Sequence, residues 1–185
     1  MAHSLELLPD EQTDRVLRAA WARLADAGLR SRRRPASPTD RPHCTLIAAP
    51  HISPAADALL DALAPGLPLA ARIGPPVILA GHGRYTLAAS VVPDAALLAL
   101  HAQASAAVDA FAERVFAHTR PGRWTAHLTL ARRLTAEQVG EALRLIDWPE
   151  QEIAFTAVRR WDGDAAAEVV VRARPPEAAD LDSGP

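Results

Sequence analysis

The sequence predicts an α+β fold made of two related halves, and three observations lead to this prediction. Strand and helix patterns follow one another along the chain twice, in the same order. The motif His-x-Thr-Leu occurs once in each half, at residues 43–46 and 127–130. The composition is that of an ordinary folded domain, because 49% of the 185 residues are hydrophobic, 23% are charged and the net charge is −2.

The first half alternates between strand and helix patterns, and proline or glycine marks most of the boundaries. Apolar side chains recur at helical spacing up to Gly28, which is a stop signal. A Gly-Pro-Pro run at 74–76 predicts a break between two strands. In order, the sequence predicts a strand at 4–8, a helix at 10–28, a loop at 30–41, a strand at 43–49, a helix at 53–64 and strands at 67–73 and 77–80.

The second half repeats this order after a turn at 81–84. An offset of 84 residues relates the two His-x-Thr-Leu motifs, and the same offset aligns Leu5 with Ala89. The sequence therefore predicts one domain over 1–174, with halves at about 4–82 and 84–173, and a flexible tail at 175–185. The predicted elements are a strand at 85–92, an Ala-rich helix at 94–119, a strand at 126–132, a helix at 135–146 opened by a threonine cap, and strands at 151–160 and 166–173.

Cysteine content, charge and hydropathy exclude several classes of protein. The single cysteine, Cys44, excludes an internal disulfide framework and a Cys-rich zinc site, and it fits a reducing cytoplasm. The near-neutral charge excludes a histone-like binder. A signal peptide is not indicated, and no window approaches the roughly 18 apolar residues of a membrane-spanning helix. We therefore expect a cytoplasmic enzyme or binding domain.

The two His-x-Thr-Leu tetrads point to acid–base chemistry on a phosphodiester. Only about 0.04 such tetrads are expected by chance in this composition. Strand alternation puts His43 with Thr45, and His127 with Thr129, on one face of their strands. One neutral imidazole can take a proton from water while a protonated imidazole gives one to the leaving oxygen, and threonine hydroxyls can stabilise phosphate oxygens. This chemistry needs no metal, and no H-E-x-x-H spacing occurs.

In these tetrads, their order and their separation, the sequence resembles the 2H phosphoesterase superfamily, and within it the 2′-5′ RNA ligase-like or RNA 2′,3′-cyclic phosphodiesterase branch. The resemblance implies a bilobal fold with two mostly antiparallel sheets related by a pseudo-twofold axis, helices outside and a central cleft. It also implies cofactor-free opening of 2′,3′-cyclic phosphates to 2′-phosphomonoesters, with ligation as a weak reverse reaction. By motif position, His43 would donate a proton to the leaving oxygen, His127 would accept one from water, and Thr45 and Thr129 would hold the phosphate.

Arginine and tryptophan residues near the tetrads are candidates for substrate binding. All 20 basic residues are arginine, and Arg41 and Arg132 are the expected phosphate contacts. Trp124, three residues before the second tetrad, is expected to stack on a base. Alternatively, the arginines are simply exposed to solvent and the indole of Trp124 packs in the core, without any contact to substrate. His101 and His118 are expected on the long helix, exposed to solvent.

The substrate and the class of protein stay open at this point. The expected substrates are RNA 3′ ends or small cyclic nucleotides, and we expect a monomer without membrane contact. Another cyclic phosphate, such as ADP-ribose 1″,2″-cyclic phosphate, or a longer 2′-5′ oligonucleotide would suit the same motifs. A non-catalytic module that binds RNA ends or nucleotides in the same cleft is the alternative to an enzyme.

Overall fold

The computed structural model describes residues 1–31, 39–147 and 150–173, so the predicted tail at 175–185 lies outside the described residues. Three short 3₁₀ turns accompany the regular elements. Within the described ranges the order is β1 (His3–Pro9), α1 (Glu11–Asp26), β2 (Cys44–Ala49), β3 (His51–Ile52), α2 (Asp57–Leu63), β4 (Leu69–Gly81), β5 (Arg84–Val91), α3 (Ala95–Val108), β6 (Ala112–Glu113), β7 (His127–Leu134), α4 (Ala136–Leu145), β8 (Gln151–Asp162) and β9 (Ala167–Arg172).

The seven longer strands form one antiparallel sheet in the order β1-β2-β7-β5-β4-β8-β9. β1 also pairs with β8, so six of these strands close into a ring and β9 extends β8 at its edge. β2 and β7, which follow directly from His43 and begin at His127, are neighbours that pair through Cys44 and Leu128. The two expected sheets are therefore joined by hydrogen bonds into one, and β3 and β6 form a separate two-stranded sheet.

The pairing pattern of the first half recurs in the second. β1 pairs with β2 and β8, and β5 pairs in the same way with β7 and β4. Each half has a register shift at the same place, after Leu5 in β1 and after Leu87 in β5. The alignment of Leu5 with Ala89 is therefore wrong by two residues, because the bulges align Leu5 with Leu87 and Glu6 with Ala88. A pseudo-twofold axis between the halves stays a prediction.

Residues 69–81 form one continuous strand, so the predicted break at 74–76 is wrong. The first part of β4 pairs with β8 and the rest pairs with β5, and Ile73 pairs with both neighbours. A register shift follows Ile73 and contains Gly74 and Pro75. Proline has no N–H to donate to a ladder, so a bulge where the strand changes partners accommodates it.

The Ala-rich helix ends earlier than predicted, since α3 stops at Val108 rather than at Thr119. The chain beyond it is extended, and Ala112–Glu113 pairs with β3. The amide of Phe116 donates to the carbonyl oxygen of Ala48 at 2.8 Å, which ties this segment to the end of β2. Alanine favours helix without marking its end, and these tertiary hydrogen bonds set the end instead.

The helices cover the sheet on both flanks of the paired tetrad strands. α2 and α3 pack against each other, and α3 also packs on β2, whereas α1 packs on β7 and α4 packs on β5 and β7. Thr135 caps α4 as predicted, in a capping box with Gln138. β1 is buried along its whole length, and strands pair with both of its edges. Among the described residues, no helix is long and apolar enough to cross a membrane.

Candidate active site

A cavity of about 780 Å³ opens above the point where the two tetrad strands pair. Five of the seven residues predicted from sequence line it: His43, Thr45, Trp124, His127 and Arg132. The structure therefore brings the two histidines into one cavity, because β2 and β7 are adjacent and their outward faces share one side of the sheet. Glu6, His118 and Arg159 also line the cavity.

Both histidines are oriented by the same local hydrogen bond. Nδ1 of His43 donates to the carbonyl oxygen of Arg41 at 2.8 Å, and Nδ1 of His127 donates to that of Thr125 at 2.7 Å. In each case the acceptor lies two residues before the histidine. A neutral imidazole with a proton fixed on Nδ1 keeps its lone pair on Nε2. Nε2 is therefore the nitrogen that each ring has available for proton transfer.

His43 lies beside a buried carboxylate. Oε1 of Glu6 is 3.5 Å from Nε2 of His43, and the two side chains are 4% and 10% exposed. The hydroxyl of Ser4 donates to Oε1 of Glu6 at 2.5 Å, and Nε of Arg159 donates to Oε2 at 2.6 Å. A carboxylate at this distance from Nε2 favours the protonated, cationic form of the ring, whereas the guanidinium of Arg159, whose Nη2 lies 3.3 Å from Nδ1, opposes it.

The charge of Glu6 is maintained by this arrangement. Burial by itself would raise the pKa of Glu6, but the positive charges of His43 and Arg159 and the hydrogen bonds from Ser4 and Arg159 outweigh it. The pKa of Glu6 is consequently lower than its usual 4.5. The carboxylate is therefore ionised at neutral pH despite its burial.

Arg159 extends the charged network away from the cavity. Its Nη1 donates to Oε2 of Glu168 at 2.5 Å and to the carbonyl oxygen of Thr39 at 2.9 Å. Arg41 donates to the other oxygen of Glu168 at 2.8 Å. Arg41 does not line the cavity, and its guanidinium is part of this network through Glu168.

His127 has different electrostatic surroundings. Burial lowers its pKa below the usual 6.5, and the positive charges of Arg132 and His118 lower it further against the opposing hydrogen bond to Thr125. These groups together favour the neutral ring at neutral pH. The cavity thus contains one imidazole beside an anion and another whose surroundings disfavour its cationic form.

The two tetrad threonines have different positions relative to the cavity. Thr45 lines it, and its carbonyl oxygen accepts a hydrogen bond from Nε1 of Trp124 at 2.8 Å. Thr129 is 8% exposed and does not line the cavity, and its carbonyl oxygen accepts from Nε1 of Trp21 at 3.0 Å. A phosphate contact by Thr45 is consistent with this geometry, while one by Thr129 stays a prediction.

Trp124 lies at the cavity wall with one face covered. Its ring stacks on His101 with a centroid distance of 4.0 Å and an interplanar angle of 4°. His101 is 2% exposed and its Nε2 is 2.9 Å from the carbonyl oxygen of Thr119, so the expectation of a solvated ring is wrong. His118 is exposed as expected, but it lies in a 3₁₀ turn at the cavity and not on the long helix.

Glu6 and Arg159 are the residues of this site that sequence reasoning missed. Glu6 is an acidic residue inside an apolar strand, and strand alternation separates it from Leu5 and Leu7. That pattern is a usable signal, because a carboxylate is seldom buried without a partner. Arg159 gives no comparable signal, since it meets Glu6 only through the pairing of β1 with β8.

The comparison with known families agrees with this geometry. The profile of the 2'-5' RNA ligase superfamily matches residues 9–167. The chain belongs to this superfamily. The matched range includes both tetrads and most of the chain, so the 2H phosphoesterase resemblance is confirmed at the superfamily level. None of the curated proteins matches the chain.

Membership in the 2'-5' RNA ligase superfamily supports a 2H phosphoesterase-type activity in general. The cyclic phosphodiesterase branch stays a prediction. In the part of the chain that the structure describes, no three His, Cys, Asp or Glu side chains are grouped so that they could hold a metal ion.

Proposed function

We propose that this member of the superfamily opens 2′,3′-cyclic phosphates of RNA ends or small cyclic nucleotides and forms 2′-phosphomonoesters. The observation that carries the proposal is the pair of imidazoles lining one cavity, of which, among the described residues, only His43 has a buried carboxylate beside it. General acid–base catalysis needs such a pair, one ring neutral and one protonated at the same pH. The carboxylate beside His43 and the lowered pKa of His127 support this division of roles.

The proposed reaction is the addition of one water molecule across one P–O bond. Nε2 of His127 accepts a proton from water as the water oxygen forms a bond to phosphorus. The bond from phosphorus to the 3′ oxygen breaks, and protonated His43 gives its Nε2 proton to that oxygen. The products are a 2′-phosphomonoester and a free 3′ hydroxyl, and the two histidines end with their protonation states exchanged until solvent restores them.

The reaction also requires groups that stabilise the negative charge that develops on the non-bridging phosphate oxygens. The side chains of Thr45 and Arg132 line the same cavity as the two histidines, and they are the proposed donors to the non-bridging oxygens. Trp124 supports the position of Thr45 through its hydrogen bond to the Thr45 carbonyl oxygen. His101 occupies one face of the Trp124 ring, and the other face is the proposed place for a base to stack.

Incubation with 2′,3′-cyclic AMP tests the proposal, with the product identified by phosphorus NMR. The expected product is adenosine 2′-phosphate, formed by the native protein and lost in His127→Ala. His51→Ala is the matched control, because it removes an exposed imidazole outside the cavity and should retain the native rate. Binding without turnover by the native protein would contradict the proposal and favour the non-catalytic binding module.

A further inference from the structure

A second groove, of about 890 Å³, lies beside the catalytic cavity. Leu79 and Ala80 of β4 line both, so the two cavities meet at this part of the β4–β5 hairpin. The groove falls in the range of about 300–1,000 Å³ that is usual for ligand sites. None of the tetrad residues lines it.

The groove is positively charged. Arg30, Arg84 and Arg133 line it and are exposed, and its described lining contains no aspartate or glutamate. Among the residues that the structure describes, these three arginines form no ion pair or side-chain hydrogen bond, in contrast to Arg159. Guanidinium groups without carboxylate partners are suited to phosphate, which they can bind through two N–H groups at once.

The backbone holds the three arginines along this groove. Arg132 and Arg133 form a bulge in β7 opposite Thr86, and Arg133 has a positive φ of 58°. A bulge redirects side chains, and here Arg132 lines the catalytic cavity while Arg133 lines the groove. The amide of Arg132 donates to the carbonyl oxygen of Arg30 at 3.0 Å, which brings Arg30 to the same edge.

Arg84 comes from the tip of the β4–β5 hairpin. His82 and Gly83 form the turn with φ values of 51° and 70°, and Arg84 follows as the first residue of β5. Two consecutive positive φ values are typical of the tight turns that fix a hairpin register. The next residue, Tyr85, is half-buried and lines the groove, where an aromatic ring can stack on a base.

We infer that this groove binds the RNA strand that leads to the terminal cyclic phosphate, so that an oligonucleotide is a better substrate than a mononucleotide. The inference rests on the proposed function. Continuity with the catalytic cavity means that one strand can occupy both sites, with its terminal phosphate between the histidines and its preceding phosphates beside the arginines. A single cyclic nucleotide fills only the catalytic cavity.

The test compares kcat/KM for two substrates, 2′,3′-cyclic AMP and an RNA tetranucleotide ending in a 2′,3′-cyclic phosphate. Arg84→Gln and Arg133→Gln should each lower the tetranucleotide-to-mononucleotide ratio by about three- to tenfold. Arg15→Gln, which removes an exposed arginine of α1 outside both cavities, should leave the ratio unchanged. Salt should weaken tetranucleotide binding less in the groove variants than in the native protein. The slope of log K against log salt concentration should be smaller in magnitude by about 0.7 for each phosphate that the variant no longer neutralises.

The outcomes separate this inference from the proposed function. If cyclic AMP is hydrolysed but the ratio is the same in the native protein and the groove variants, the inference is wrong and the proposed function stands. If neither substrate is hydrolysed, the proposed function is wrong, and binding of a tetranucleotide with a 3′-phosphate is measured instead by fluorescence anisotropy. Weaker binding in the groove variants than in Arg15→Gln would then support the groove as an RNA site, and equal binding would overturn it.

Discussion

The carboxylate of Glu6 lies 3.5 Å from Nε2 of His43, and both side chains are nearly inaccessible to solvent. In the second half Ala88 occupies the position of Glu6, pairing with Thr129 as Glu6 pairs with Thr45. The fold repeats the histidine and its carbonyl acceptor but not the carboxylate. This difference supports a direction for the two proton transfers, from water to His127 and from His43 to the leaving oxygen.

Glu6→Gln tests the role of the carboxylate. The variant keeps a hydrogen-bonding oxygen for Arg159 but removes the negative charge that favours protonated His43. We expect the basic limb of the kcat/KM profile to move to lower pH, with about a tenfold loss at pH 8. The thermal unfolding midpoint of the variant is the control for folding. A uniform loss at every pH, with the limb unmoved, would assign Glu6 a structural role only.

Arg132→Gln tests the surroundings of the other histidine. Burial and the positive charges of Arg132 and His118 lower the pKa of His127, so the acid limb of the native profile should lie below pH 6.5. Removing one positive charge makes protonation of the ring easier, and the acid limb should move to higher pH by roughly a few tenths of a unit. High salt should reduce the difference between the two proteins. Movement to lower pH would contradict the assigned cause.

Glu6 should also make the folded protein sensitive to acid. Its pKa is lower in the folded state than the usual 4.5, so its ionised form stabilises the fold above that pH. This contribution is lost as the pH falls below 4.5 through the folded pKa. Urea unfolding at pH 7 and at pH 3.5 measures it, and the decrease should be smaller in Glu6→Gln. An equal decrease in both proteins would show that other groups dominate.

Cys44 should be unreactive in the folded protein. Burial, together with the negative charge of Glu6, raises the pKa of the Cys44 thiol to about 12 against a hydrogen bond with the backbone of His127. The side chain is fully buried, and Cys44 is the residue of β2 that pairs with Leu128 of β7. A thiol reagent at pH 8 should modify none of the native protein and one thiol per chain in urea. Rapid labelling without denaturant would show that β2 and β7 separate readily.

The order of elements could be predicted from sequence because local patterns determine it. Short β-capable runs identified the tetrad strands, and the threonine at position 135 identified the start of α4. The end of α3 and the continuity of β4 could not be predicted in this way. Hydrogen bonds from Phe116 to β2, and the exchange of partners at Ile73, are made with residues far away in sequence.

In the candidate site, too, residues marked by a local sequence pattern could be predicted, and contacts between distant parts of the sequence could not. His43 and His127 could be found because a repeated tetrad marks them and alternation assigns their face. The pairing of Arg41 with Glu168 could not be predicted, because Glu168 lies on β9, far away in sequence. Glu6 shows the intermediate case, in which the strand position was predictable but the neighbouring His43 became apparent only from the register of β1 and β2.

A kinetic comparison of three variants tests the joint action of the two histidines most directly. The measurement is kcat/KM for 2′,3′-cyclic AMP with His43→Ala, His127→Ala and the double variant. Each single variant should lose about 10²–10⁴-fold, and the double variant should lose little more, because the two groups act as a unit. A single variant that retains the native rate, or single losses that multiply in the double variant, would contradict joint action on one phosphate.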